Sequence, residues 1–137
     1  MAYIPNTKPS TSRRSNETTP GIFIHDDSDP RASLVHVFGE ATFADTAAFE
    51  SMIVGAIRIG RPVIADMCEC SYMDCATIGV LVRAAKNLGD LFHIALPKHS
   101  QGYRMLELTG LVKALRVHES VADALVNPKP VATLRSV

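Results

Sequence analysis

The chain has 137 residues, 47% of them apolar, which is enough for one domain with a real core. Its 14 basic and 14 acidic residues cancel, which argues against a nucleic-acid partner or a polybasic membrane patch. Apolar runs too short to span a bilayer, and a start (Met1-Ala2-Tyr3-Ile4-Pro5) without a secretory core, make a cytoplasmic protein the expectation.

Residues 1–20 are rich in Ser, Thr, Pro and Asn. Such a segment buries too little apolar surface to offset its ordering entropy, so a flexible tail is expected there. One domain should cover residues 21–127, with a second tail over 128–137.

Gly21-Ile22-Phe23-Ile24-His25 and Ser33-Leu34-Val35-His36-Val37-Phe38 read as strands. The cluster Asp26-Asp27-Ser28-Asp29-Pro30 between them predicts a turn, hence an antiparallel hairpin. Thr42 or Asp45 then caps a helix whose apolar face is Phe49, Met52, Ile53, Ala56 and Ile57. Gly60 and Pro62 end it. Pro62-Val63-Ile64-Ala65-Asp66-Met67 has the nearly continuous apolar character of a strand buried on both faces.

Residues 68–73 read as a loop, and a second helix starts near Asp74 with Ile78, Leu81, Val82, Ala85 and Leu88 inward. Leu91-Phe92-His93-Ile94-Ala95-Leu96 is a fourth strand. Ser100 caps a third helix, and Gly110-Leu111 is its glycine stop. Leu115-Arg116-Val117-His118 is a last strand, and Val121, Ala124 and Leu125 face inward from a final helix. The order β-β-α-β-α-β-α-β-α predicts an α/β fold. It has a mostly parallel sheet of about five strands, an N-terminal antiparallel hairpin and about four helices.

Phosphate loops of the G-x-x-x-x-G-K-[ST] or G-x-G-x-x-G kind are absent, as are G-x-S-x-G and H-E-x-x-H. The odd set Cys68, Cys70 and Cys75 is a poor disulfide framework and a poor zinc pattern. Cys68 and Cys70 would share a face of an extended segment, which leaves a vicinal metal or disulfide reading open. Histidines 25, 36, 93, 99 and 118 are scattered; His36 and His93, in strands, read as packing or edge residues, Lys98-His99 reads as an exposed basic loop, and no metal or cofactor is expected.

The junction Tyr72-Met73-Asp74-Cys75-Ala76-Thr77-Ile78-Gly79 is the most informative stretch. A carboxylate at Asp74 would accept backbone N–H groups of the helix it opens. The spacing from Asp66 to Asp74-Cys75-Ala76-Thr77-Ile78-Gly79 resembles the STAS family signature, in which a strand-ending aspartate precedes Asp-Ser-Ser-Gly-Leu-Gly. Gly39-Glu40-Ala41-Thr42 resembles the family's Gly-Glu-Leu-Asp. Arg104-Met105-Leu106-Glu107-Leu108-Thr109-Gly110-Leu111 resembles its third helix and following turn.

That resemblance, over roughly residues 21 to 126, implies an anti-sigma factor antagonist. Such a protein binds an anti-sigma factor of serine-kinase fold, regulates transcription without being an enzyme, and is a monomer or weak homodimer. The implied partner surface is Gly39, Glu40, Thr42, Asp74, Cys75, Ala76, Thr77 and Gly79. The family's phosphoacceptor serine is Cys75 here, the next serine is Ala76, and the last residue of Gly-Glu-Leu-Asp is Thr42. The binding shape is therefore expected without the usual phosphorylation switch, with Thr77 the only hydroxyl left in that first turn. Two other readings stay open: a module sensing a small molecule or nucleotide in the same loops, and a redox signal through Cys75. An enzyme with Cys75 as nucleophile would need a base, and none stands out.

Overall fold

The computed structural model describes residues 21–126; the two expected tails lie outside the described residues. Five strands form one sheet in the order β1(Ile22–Asp26), β2(Ser33–Ala41), β3(Val63–Met73), β4(Phe92–Ala95) and β5(Val117–His118). The β1–β2 pair is antiparallel and the other three pairs are parallel. Four helices connect or follow the strands: α1(Thr46–Gly55), α2(Cys75–Leu88), α3(Gln101–Leu108) and α4(Val121–Val126). The predicted order and pairing are those observed.

Alternation along the strands splits the core into two layers. Val35, Val37, Val63, Ala65 and Met67 face α1, α2 and α3, where they meet Phe49, Ile53, Ile78, Leu81 and Leu106. Leu34, Ile64 and Ala95 face the other way and are covered by Ala124 of α4, with Val121 and Leu125 beside it. Each fully buried side chain of this size contributes about 1.5–3 kcal/mol. Phe23 adds an aromatic contact from the edge strand, its ring stacked 5.4 Å from that of Phe49.

Three elements depart from the sequence expectation. First, β3 does not stop at Met67 but runs to Met73, so residues 68–73 are strand. Second, β2 continues past Phe38 to Ala41 and supplies the partner for that extension. Register shifts between His36 and Phe38 and between Gly39 and Glu40 give β3 two more residues than β2 over the same length. These bulges scramble the period-2 pattern, which is why the stretch reads as a loop. Gly39 sits there with φ 80°, a left-handed conformation that glycine adopts without strain. Third, α1 begins only at Thr46, after a 3-10 turn over Phe43–Asp45, and ends before Ile57, which is exposed.

The bulges also correct the cysteine reading. Cys70 enters the layer under α1–α3, while Cys68 packs against the α4 layer. The two thiols therefore do not share a face, and all three cysteines are free. Burial pushes the Cys68 thiol up to about 12, helped by the adjacent Asp66 carboxylate, and burial raises the Cys70 thiol too. Both stay protonated near neutrality.

Candidate functional site

The β2 and β3 extensions end side by side at Ala41 and Met73, and α2 starts immediately afterwards. Asp74 joins the pieces. Its backbone N–H donates to the Ala41 carbonyl at 3.3 Å. Its Oδ1 accepts the Thr77 N–H at 3.0 Å, capping α2, and its Oδ2 accepts the Phe43 N–H at 2.8 Å. Burial tends to raise the Asp74 carboxyl, but the bonds from Thr77 and Phe43 outweigh it and hold it below the ordinary carboxylate value. It is an anion held at the positive end of a 14-residue helix.

Thr77 completes the tie from inside. Its hydroxyl donates to the Ala41 carbonyl at 2.8 Å, and the residue is 1% exposed. Thr42 shapes the other approach, its N–H donating to Asp45 Oδ2 at 2.9 Å. On the far edge of β3, Gln101 of α3 bonds the backbone of Met73.

Small and aromatic side chains stand among those left accessible here. Cys75 is exposed and Ala76 half-buried in the first turn of α2. Phe43 is 74% exposed and Tyr72 is 41% exposed. Tyr72 is paired across the ladder with Glu40.

Residues 24–124 match the STAS domain family. The chain belongs to the STAS family. Its fold is also that of solved STAS structures. An anti-sigma factor antagonist from Mycobacterium paratuberculosis superposes with a TM-score of 0.69 at 23% identity, covering 78% of this chain and 92% of that one. An anti-sigma-factor antagonist (STAS) domain protein from Planctomyces limnophilus gives 0.60 at 14% identity, over 78% and 97%. The murine solute carrier 26 member A9 anion transporter gives 0.57 at 21% identity, over 72% of this chain and 18% of the transporter. At these identities the likeness concerns the fold. No curated protein sequence matches the chain at a significant level.

Within this STAS domain, the topology brings the eight sequence-selected residues to one end of the sheet, but not all to the surface. Gly39 and Glu40 lie on the bulged end of β2 and Thr42 just beyond it. Asp74, Cys75, Ala76 and Gly79 are accessible at the start of α2, whereas Thr77 is interior. A kinase would find the Thr77 hydroxyl buried and already bonded, so its role is to fasten helix to strand. The STAS signature aspartate, Asp66, does not end β3; it is where pairing with β4 stops, opposite Ala95. Its carboxylate bonds His36 Nδ1 at 2.7 Å and accepts the Cys68 N–H at 3.1 Å.

Sequence reasoning passes over Phe43 and takes Tyr72 only as the start of the junction before the helix. Neither was legible: Tyr72 falls in the stretch that reads as a loop, and Phe43 belongs to a 3-10 turn that precedes α1. Among the described residues no group of His, Cys, Asp and Glu is placed to hold a metal. A narrow recess of about 40 Å³ lies between α1 and α2, lined by Ile53, Val54, Val80 and Ala84, away from Asp74.

Proposed function

We propose that this STAS domain is an anti-sigma factor antagonist of the cytoplasm. It binds an anti-sigma factor of serine-kinase fold through the start of α2 and the end of β2, and acts by binding and not by catalysis. The observation that carries this reading is the junction at Asp74. One carboxylate locks the helix start to the Phe43 turn, which leaves Cys75, Ala76 and an exposed aromatic on a rigid platform. A preorganised, partly apolar surface of this kind suits a protein partner. The balanced charge, with no helix among the described residues long and apolar enough to cross a membrane, fits a partner that is neither nucleic acid nor bilayer.

Cys75 occupies the phosphoacceptor position and Ala76 the following one. The resident kinase would have no hydroxyl to modify at that surface, so binding here is not released by ATP. The protein works as a monomer or weak homodimer.

The test is a calorimetric titration of the purified chain against each anti-sigma factor of serine-kinase fold from the source organism. Wild type binds one of them. Ala76→Arg, which sets a long charge in the contact, abolishes binding while the unfolding transition stays in place. If no such factor binds wild type, or if Ala76→Arg binds equally well, this reading is wrong.

A further inference from the structure

We propose that Phe43 and Tyr72 are anchoring side chains at this junction, each fitting its own apolar pocket in the partner with basic residues beside it. The inference rests on the antagonist reading above and specifies what chemistry that partner must present.

Phe43 is 74% exposed and Tyr72 is 41% exposed, so neither ring is consumed by the core. Yet the backbone that carries Phe43 is fixed. Its N–H donates to Asp74 Oδ2 at 2.8 Å, and its carbonyl accepts the Thr46 hydroxyl at 3.0 Å. Tyr72 is fixed by its ladder position opposite Glu40, one residue before Met73 and its bonds to Gln101. An aromatic side chain has two rotatable bonds and a large apolar face. On a rigid backbone it loses little entropy when it docks. Interface energy concentrates in such residues.

Charge defines the surroundings. Residues 38–53 and 67–79 contain no Lys or Arg, while they contain Glu40, Asp45, Glu50, Glu69 and Asp74. Glu50 is paired with Arg83 at 2.8 Å, whereas Asp45 keeps its charge while accepting the Thr42 N–H. Glu40 is the ladder partner of Tyr72 and Asp74 bonds the Phe43 N–H, so each ring-bearing residue has an anionic neighbour. Lys98, His99 and Arg104 belong to the α3 flank. A partner that buries the rings therefore meets carboxylates on the β2 side, and Lys or Arg there would speed encounter and fix orientation.

The experiment compares wild type, Phe43→Ala, Phe43→Leu, Tyr72→Ala, Glu40→Gln and Ala76→Arg against the anti-sigma factor that binds wild type. Thermal unfolding of each variant serves as the folding control. Phe43→Ala should weaken binding about thirtyfold or more, with Phe43→Leu recovering part of the loss and Tyr72→Ala losing about tenfold. Glu40→Gln should slow association about threefold at low salt, the difference vanishing at high salt. Ala76→Arg abolishing binding while Phe43→Ala and Tyr72→Ala bind like wild type overturns this inference and leaves the antagonist reading standing. Loss of self-association in Phe43→Ala, with anti-sigma binding intact, also overturns it and makes a second copy the occupant. If no anti-sigma factor binds wild type, both fall.

Discussion

The Gln101 side-chain amide pairs with both main-chain groups of Met73, its Oε1 accepting the Met73 N–H at 2.9 Å and its Nε2 donating to the Met73 carbonyl at 3.0 Å. β4 pairs with β3 only as far as Asp66, so at Met73 a side chain takes the place of the missing strand. A half-buried backbone edge without such a partner would be costly. Gln101→Ala should lower unfolding free energy by about 1–3 kcal/mol, read from urea denaturation. Gln101→Glu should also destabilise, since its carboxylate cannot donate to the Met73 carbonyl.

Asp74→Ala removes the α2 cap and the tie to the Phe43 turn. The expected loss near neutral pH is about 1 kcal/mol or somewhat more. The sign of its pH dependence follows from a folded-state carboxyl held below 3.8. The ionised form is favoured in the fold, so the contribution is complete above that ordinary value and disappears as pH falls through the lower folded value. Unfolding curves of wild type and Asp74→Ala should therefore converge as pH falls through and below 3.8. A constant gap would mean the carboxylate charge is not what stabilises the junction.

His118 supplies a second acid-sensitive point. Its Nε2 lies 3.0 Å from Nδ1 of buried His93, at the β4–β5 pair. Burial lowers the His118 imidazole from 6.5, while Asp123 of α4 pulls it the other way. The neutral ring is the one the fold prefers, so its contribution is present above that value and is lost as pH falls through the depressed one. His118→Gln should lose less stability than wild type as pH falls through and below 6.5, as measured by thermal unfolding.

Under the proposed function, Cys75→Ser returns a hydroxyl to the phosphoacceptor position. Incubation with the anti-sigma kinase and ATP should phosphorylate the variant and not wild type, as read by intact mass. Cys75→Asp places a second carboxylate beside Asp74 and should weaken binding by about 1–3 kcal/mol in the same titration. Phosphate on wild type would mean another hydroxyl is the acceptor and the switch is intact.

The sequence foretells the domain's element order because most elements obey a single period. Phe49 and Ile53, Ile78 and Leu81, and Leu34 and Ile64 sit where helix or strand spacing puts them. Caps are equally local: Ser100 accepts the Tyr103 N–H, Asp74 the Thr77 N–H, and Gly110 takes φ 77°. The end of β3 escapes such reading because its pairing depends on bulges opposite β2, a relationship between segments about 30 residues apart. Thr77 misleads for a related reason. Its hydroxyl is polar in sequence, but the Ala41 carbonyl that satisfies it inside the fold is 36 residues away. The exposure of Phe43 is likewise decided by the 3-10 turn, which delays α1 and turns that ring outward.

The two surplus residues of β3 make length, more than side-chain chemistry, the guarded quantity between Asp66 and Asp74. Side chains alternate between faces, so removing one residue from this stretch would turn Tyr72 toward the layer under α1–α3 and Met73 toward solvent. The cap at Asp74 would then meet the wrong backbone groups. Exposed positions such as Glu69 and Ser71 can change type freely as far as the fold is concerned. A single-codon deletion among them would dismantle the platform while leaving the other strand pairs undisturbed. The segment behaves as a ruler whose marks are counted and not read.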